Sequence, residues 1–313
     1  MIISASRRTD IPAFYFKWFL NRLDSGFLLV KNPLNPLQVS KIILSPENID
    51  CIVFWTKNAA PAMEYLPQIK DYPYYFQFTL NPYGPDIEIN VPSLEKRIDT
   101  FKKLSDRISP EKIIWRYDPV FISPLYPAAF HIESFRKISA RLKDYTSRCM
   151  FSFMTPYKKS VKNMQDTGFE IPLEKDRSLL LQSFKDISDT AGISLQSCAS
   201  PEDYTKLGIE HGRCIDNLLI EKISGKTITS ARDYGQRKEC LCSPSIDIGA
   251  YDSCIYGCKY CYASTNTSRA MQNFKGHNPD SELLLGSMTG MEKITVKGVT
   301  AERINKDFQV TLF

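Results

Sequence analysis

Short apolar runs that close on polar residues alternate along the chain with stretches of helical periodicity. Amphipathic helical stretches include "HIESFRKISARLKDY" and "IPAFYFKWFLNRLDSG", in which Asp10 is the predicted cap at the start and Gly26 at the end. Their alternation with strands predicts parallel β-α units with both faces of the sheet covered, as in a barrel or a doubly wound sheet. The runs with the length and composition of buried β-strands are "MIISASRRTD", "IDCIVFWTKN", "YYFQFTLNP", "KIIWRYDPV", "RCMFSFMTP" and "GISLQSCAS".

A (β/α) barrel is the favoured fold class. No Gly-rich phosphate-binding sequence follows the first strand, whereas each predicted strand carries polar groups at one end, where barrel enzymes place their sites. We expect the barrel to occupy residues 1–275, including a cysteine segment at 240–262, with a less regular stretch from about Gly225 to Ser253. Residues 276–313 are expected to form an extension of loop and small helix.

The composition narrows the class of protein. A hydrophobic content of 43% excludes a disordered chain. The first ten residues hold too short an apolar run for a secretory leader, and no later run reaches the length of a membrane span, so we expect a soluble, cytoplasmic protein. The net charge of +5 is compatible with an anionic partner without requiring one.

Three cysteines gather in the segment "YDSCIYGCKYCYAST", residues 251–265, which we call the cysteine loop. Cys254, Cys258 and Cys261 follow at spacings of four and three, and Gly257 permits the tight turn that would bring their sulfurs together. In a reducing compartment, nine cysteines favour metal binding or catalysis over disulfides. Three thiolates suit a 4Fe-4S cluster with one iron left open for a small-molecule ligand.

A structural zinc site is the alternative, because Cys240 and Cys242 lie just upstream and would complete four ligands. Buried free thiols are a third interpretation. A further set of cysteines would bind a second cluster or a zinc ion if its members converge, and would otherwise be small core residues. We call it the four-cysteine set: Cys198, Cys214, Cys240 and Cys242. Cys51 and Cys149 lie in apolar strand patterns and are predicted to serve packing.

Polar residues at the predicted strand ends form the second candidate group. In a barrel they would face one mouth, where cations and amides could hold the carboxylate, ribose or phosphate groups of a cofactor and substrate. Some would instead pair with each other, and Asp10 is equally plausible as a helix cap. The group comprises Arg7, Arg8, Asp10, Lys57, Asn58, Asn81, Arg116, Asp118 and Thr155. The lysine run Tyr157–Asn163 would meet a nucleic-acid backbone or form a solvated loop.

Several segments resemble a bacterial family catalogued only as a domain of unknown function, whose C-terminal cysteine cluster has been likened to that of radical SAM enzymes. They are "ISASRRTDIPAFY", "VFWTKN", "WRYDP", "HGRCIDNLL" and "ECLCSPSIDIGAYDSCIYGCKYCYA". The resemblance implies a 4Fe-4S cluster, S-adenosylmethionine (SAM) as the ligand of its open iron, and an electron donor such as flavodoxin or ferredoxin.

The order of segments departs from that of radical SAM enzymes, in which the cysteine loop follows the first barrel strand. Here "SIDIGAY" would be a strand that feeds the loop, and "IISASRR" the next strand in space, which gives an incomplete, circularly permuted barrel. The chain has no Gly-Gly-Glu segment of the kind that usually binds the SAM amino group.

The last five residues, "QVTLF", resemble the peptide by which bacterial DNA polymerases and repair proteins dock on the sliding clamp, with Gln309, Leu312 and Phe313 as the contacting residues. A C-terminal strand or anchor packed on the barrel is the alternative. Together with the basic chain, and with the cluster chemistry of spore photoproduct lyases, this peptide favours nucleic acid as the substrate.

Two hypotheses for the function of the whole chain result: a radical SAM-like enzyme of nucleic-acid repair or modification, and a zinc-stabilised nucleic-acid-binding protein without redox chemistry.

Overall fold

The computed structural model describes residues 1–298, and the fold within them is mixed α/β. The strands are β1 Ile2–Ala5, β2 Phe27–Asn32, β3 Asn35–Ile43, β4 Cys51–Thr56, β5 Tyr74–Thr79, β6 Ile113–Val120, β7 Arg148–Phe153, β8 Ser194–Cys198, β9 Glu210–Gly212, β10 Ile246–Asp247 and β11 Lys293–Lys297. The α-helices are α1 Ile11–Phe14, α2 Phe16–Asp24, α3 Ala60–Met63, α4 Leu94–Ile108, α5 Ala128–Leu142, α6 Lys158–Asn163, α7 Glu174–Ala191, α8 Asn217–Ser224 and α9 Thr267–Lys275.

Eight strands form one parallel sheet in the order β10-β1-β4-β5-β6-β7-β8-β9. All six predicted strands are present in it. The predicted neighbour of the first strand is confirmed as well, because Ile3 and Ser4 of β1 pair with Ile246 and Asp247 of β10. Within residues 1–298 no ladder joins β9 to β10, so the sheet is open and is not a closed barrel.

The two faces of the sheet are covered differently. The strand residues of one face, such as Phe54 and Trp115, pack against α2, α4, α5 and α7 in the largest apolar core. Alternate strand residues, such as Val53 and Tyr75, face a smaller core that includes Leu219 of α8 and three members of the four-cysteine set. Both faces are therefore buried, which explains why the strands are near-continuous apolar runs.

The first helical region follows the predicted caps but contains a break. Asp10 accepts a hydrogen bond from the backbone N–H of Ala13 at 3.0 Å and starts α1, and Gly26 has a φ of +77° just beyond α2. Between α1 and α2 the backbone of Tyr15 leaves the helical region, with φ of −133°, so the single predicted helix is two. Asp10 thereby fixes the chain as it leaves β1.

A second, three-stranded sheet has the order β11-β3-β2 and was not predicted. Its β2-β3 hairpin carries two prolines and several exposed positions, which hide the strand pattern. The prediction of a small helix after Gly276 is wrong for residues 276–298, since this stretch contains β11 and no helix. There "KITVK", with three β-branched residues, pairs in parallel with β3. None of the helices in residues 1–298 combines the length and apolar character needed to cross a bilayer.

Candidate functional site

A cavity of about 390 Å³ lies at the carboxyl ends of the strands of the large sheet. This volume falls in the range of sites for small molecules and cofactors. Seven of the nine cysteines line it, namely the three of the cysteine loop and all members of the four-cysteine set. The other two, Cys51 and Cys149, are fully buried in the apolar cores, which confirms the prediction that they serve packing.

The cysteine loop follows β10 and is held on one side by the chain after β5. The backbone N–H of Asn90 donates to the carbonyl of Tyr256 at 2.9 Å, and its side-chain amide donates to Ile255 at 2.9 Å. The backbone N–H of Lys259 donates to the carbonyl of Ile87 at 2.9 Å. Gly257 has a φ of +67°, which agrees with the predicted tight turn.

The turn between β1 and α1 holds the loop on its other side. The hydroxyls of Thr9 and Ser253 are 2.5 Å apart, and the hydroxyl of Tyr15 donates to the carbonyl of Ser253 at 2.7 Å. A Cβ on Gly249 would lie 2.1 Å from the hydroxyl oxygen of Ser6, so a glycine is required where the two segments cross. The segments "SRRTD" and "SIDIGAYDSC" therefore form one structural unit although they lie at opposite ends of the sequence.

Glu88 is a buried carboxylate behind the loop that the sequence analysis missed. It makes ion pairs with Lys57 at 2.7 Å and Arg97 at 3.3 Å, and it accepts hydrogen bonds from the hydroxyl of Tyr260 and the amide of Asn81. Burial alone would raise the pKa of the Glu88 carboxyl, but the two cations outweigh burial and hold the pKa below its usual value. Glu88 thus couples a strand-end lysine to the aromatic residue between Cys258 and Cys261.

The surroundings of the loop disfavour the thiolate form of its three cysteines. Burial raises the pKa of Cys258 to about 12 and raises those of Cys254 and Cys261 as well. Lys57 opposes the effect at Cys258. A metal would supply the positive charge that deprotonates such thiols, since thiolates are the form that ligates.

Most of the predicted strand-end residues line the cavity: Arg7, Arg8, Asp10, Lys57, Arg116, Asp118 and Thr155. Asn81 and Asn58 do not. The buried amide of Asn81 donates to the carbonyl of Asp118 at 2.9 Å and to the hydroxyl of Tyr260 at 3.2 Å, so it positions its neighbours. Asn58 accepts a hydrogen bond from the backbone N–H of Ala60 at the start of α3.

Asp10 has two roles. Besides capping α1, its second carboxylate oxygen accepts a hydrogen bond from the backbone N–H of Lys57 at 2.7 Å and so ties the ends of β1 and β4 together. Burial raises the pKa of Asp10 to about 7, and the hydrogen bonds from Lys57, Thr56 and Ala13 reduce that effect.

Two arginines flank the indole of Trp55 in the cavity wall. Their guanidinium carbons lie 5.2 Å (Arg7) and 5.0 Å (Arg116) from the ring. One amino nitrogen of Arg7 is buried and has no hydrogen-bond partner among residues 1–298. Arg8 instead makes an ion pair at 3.1 Å with Asp247 of β10, a partner the sequence analysis missed. Arg7 is therefore the better placed of these arginines to bind an anionic group.

The four-cysteine set converges. The sulfurs of Cys198 and Cys214 are 3.2 Å apart, and the thiol of Cys242 is in hydrogen-bond contact with those of Cys214 and Cys240. The hydrogen bond with Cys214 lowers the pKa of Cys198 to about 7, and those with Cys214 and Cys240 lower the pKa of Cys242. Cys240 and Cys242 are thus grouped with Cys198 and Cys214, not with the cysteine loop.

No group of three or more His, Cys, Asp or Glu side chains in residues 1–298 has the geometry of a formed metal site. The predicted docking residues Gln309, Leu312 and Phe313 lie outside the described residues. The lysine run forms α6, Lys158–Asn163, directly after Tyr157, which lines the cavity.

Comparisons with known proteins agree with the resemblance at the level of the family. Searches of the curated proteins and of the solved structures found no match. One family model, described as a domain of unknown function (DUF1848), matches residues 2–263 and so includes both cysteine groups and every strand of the large sheet. The chain therefore belongs to this family, DUF1848.

Proposed function

We propose that this protein is a radical SAM-like iron-sulfur enzyme on an incomplete, circularly permuted β/α barrel. The observation that carries the proposal is the position of the cysteine loop. It follows β10, the edge strand beside β1, and its three thiols line a cavity that polar residues from the ends of β1, β4, β6 and β7 also line. If the strands are counted from β10, the loop follows the first strand, as in radical SAM enzymes.

The residues present fit the cofactors. Cys254, Cys258 and Cys261 would ligate three irons of a 4Fe-4S cluster and leave the fourth open for the amino and carboxylate groups of SAM. The unpartnered nitrogen of Arg7 is available to a carboxylate or phosphate, and Asp10 and Asp118 supply carboxylates in the same cavity. When bound, such a cluster supplies the electron that cleaves SAM to methionine and a 5'-deoxyadenosyl radical, which abstracts hydrogen from the substrate.

The chain itself would orient the reactants and exclude water. Glu88, Lys57 and Tyr260 hold the cysteine loop from behind, while Thr9 and Tyr15 hold it from the side of α1. Trp55 and the two arginines beside it also line the cavity. These fixed contacts would hold the three thiols that ligate the cluster in one position relative to the cavity.

Nucleic acid is the substrate class that we propose, on the evidence of the cavity rim. Two tyrosines that line the cavity, Tyr157 and Tyr262, and the nearby Tyr251 are 37–40% exposed, and the rings of Tyr157 and Tyr262 are 5.4 Å apart. Cations lie against the third ring, with Lys159 at 5.4 Å and Arg8 at 5.3 Å from Tyr251. Aromatic faces interleaved with cations are the usual platform for unpaired bases and their phosphates.

The same rim would serve the alternative function, a zinc-stabilised nucleic-acid-binding protein without redox chemistry. Metal analysis separates the two. After purification without oxygen, we expect about four irons per chain at the cysteine loop, and a paramagnetic resonance spectrum of the reduced protein that changes on adding SAM. Stoichiometric zinc without iron would refute the enzyme and favour the binding protein.

A matched pair of variants assigns the iron to the loop. Cys258→Ala should lose the iron and the SAM-dependent spectral change. Cys51→Ala removes a thiol of the apolar core that lies outside both cysteine groups, and this variant should retain both the iron and the spectral change. Formation of 5'-deoxyadenosine from SAM by the reduced wild-type protein, and not by Cys258→Ala, would then establish the cleavage reaction.

A further inference from the structure

The four-cysteine set lies at the open side of the large sheet. Cys198 ends β8, Cys214 follows β9 by two residues, and Cys240 and Cys242 precede β10. Because β9 and β10 are the two edge strands, the set joins segments from both edges. A backbone hydrogen bond also joins the segments that carry these cysteines, since the N–H of Ser243 donates to the carbonyl of Ile215 at 3.0 Å.

The sulfurs of the four-cysteine set lie near one another, although no three of them have the geometry of a formed metal site in the described residues. In a tetrahedral zinc tetrathiolate with bonds of about 2.3 Å, the sulfurs are about 3.8 Å apart. The sulfurs of Cys198 and Cys214 are 3.2 Å apart, and Cys242 contacts both Cys214 and Cys240. The sulfurs of Cys198 and Cys214 would have to move apart by about half an ångström to reach the tetrahedral spacing. A 4Fe-4S cluster would need a larger opening, because its four thiolates sit on four separate irons.

Buried cations accompany these thiols. The Arg116 guanidinium donates to the sulfur of Cys214 at 2.7 Å and lies 3.9 Å from that of Cys198. Arg7, with its unpartnered nitrogen, is close enough to Cys242 and Cys240 to interact with their charges. Four thiolates on a divalent ion carry a net charge of −2, and N–H groups directed at the sulfurs are the usual outer shell of such a site.

A disulfide explains less of this arrangement. A bond between Cys198 and Cys214 would use two of the thiols and leave Cys240 and Cys242 buried against them without a role. A metal ion uses all four and accounts for the arginine beside them. Four soft thiolates, which can surround one ion tetrahedrally, are a donor set that zinc prefers.

We infer that Cys198, Cys214, Cys240 and Cys242 bind one zinc ion, in a site separate from the cysteine loop. The ion would link the end of β8 and the segment after β9 to the segment before β10. It would thereby close the open side of the sheet with metal-ligand bonds where the hydrogen-bond ladder stops. The site does not depend on the proposed reaction, since it shares no ligand with the cysteine loop.

The test removes the other metal site first. In the full-length triple variant Cys254→Ala/Cys258→Ala/Cys261→Ala, we expect about one zinc per chain after dialysis, and X-ray absorption with about four sulfur neighbours at about 2.3 Å. Adding Cys198→Ser and Cys242→Ser to that variant should lower the zinc at least about tenfold. Adding Cys149→Ala instead should leave the zinc unchanged.

Three results would overturn the inference. They are a folded triple variant without metal, a Cys198–Cys214 disulfide found by mass spectrometry in protein isolated under reducing conditions, and about four irons with matching sulfide at this site. Where the added serine variants fail to fold, the absorption spectrum of the triple variant still decides the ligand set. An iron-free cysteine loop in the wild-type protein would refute the proposed function and leave the zinc site untouched.

Discussion

The replacement Glu88→Gln tests whether the buried ion-pair network holds the cysteine loop. Glutamine has the shape of glutamate, so the change removes the charge and little else. Lys57 and Arg97 would then be left 13% and 2% exposed at their side chains with no anion between them. Removing one partner of a buried pair costs about 3 to 5 kcal/mol, and the partial exposure of Lys57 places the expected loss near about 3 kcal/mol.

Urea unfolding measures this loss. With a slope of about 3 kcal/mol per molar urea, the midpoint should fall by about 1 M. Glu133→Gln is the control, because Glu133 pairs with Arg136 and Lys137 at the surface and should leave the midpoint unchanged. Equal midpoints for wild type and Glu88→Gln would refute the reasoning.

The stability difference between wild type and Glu88→Gln should also depend on pH in one direction. Because the folded pKa of Glu88 lies below its unfolded value, the charge contributes stability above the unfolded pKa of about 4.3, and this stability is lost as pH falls through the folded pKa. The difference between wild type and Glu88→Gln should therefore be constant from about pH 6 to 8 and shrink below about pH 4. A difference that grew in acid would contradict the assignment.

Other changes have equally direct outcomes. Gly257 has a φ of +67°, and the Cβ of Gly257→Ala would lie 3.0 Å from the hydroxyl of Thr267; the control Gly192→Ala has a φ of +68° and open space around its Cβ. Both variants should lose about 1 kcal/mol of unfolding free energy in urea, but only Gly257→Ala should lower the iron content. Burial lowers the pKa of His131 to about 4. The free energy of unfolding should therefore be constant above about pH 6.5 and fall by about 3 kcal/mol as the pH drops to about 4, because only the unfolded chain takes up the proton in that range. Urea titrations of His131→Gln should lack this pH dependence. Deleting Gln309–Phe313 should abolish capture by the sliding clamp and leave the metal content unchanged; loss of solubility would favour a packed anchor instead.

The parts of the fold that follow from local pattern were predictable. Each strand of the large sheet from β1 to β8 is a short apolar run. The pairing of β10 with β1 was instead predicted from the resemblance to radical SAM enzymes, in which the cysteine loop follows the first strand. The β2-β3 hairpin escaped prediction because its residues are partly exposed and include prolines, so the two-residue alternation is weak.

The sequence predicted which types of residue line the candidate site, but it predicted few of the contacts between them. Glu88 lies in an irregular segment, and its partner Lys57 comes from a different strand end, so no local pattern connects them. The convergence of the four-cysteine set depends on three separate segments meeting at the sheet edges. Such meetings are set by tertiary packing, which local periodicity does not encode.

The order of the elements along the chain has a consequence for biosynthesis. A ribosome releases β1 to β7 before the first of the seven cavity cysteines emerges, because Cys198 is the last residue of β8 and the cysteine loop begins at Tyr251. Domains begin to fold as they leave the ribosome, so most of the sheet would be assembled while the nascent chain still lacks its metal-binding thiols. Cofactor loading would then be a late step of maturation, in which metal is delivered to a largely prefolded chain.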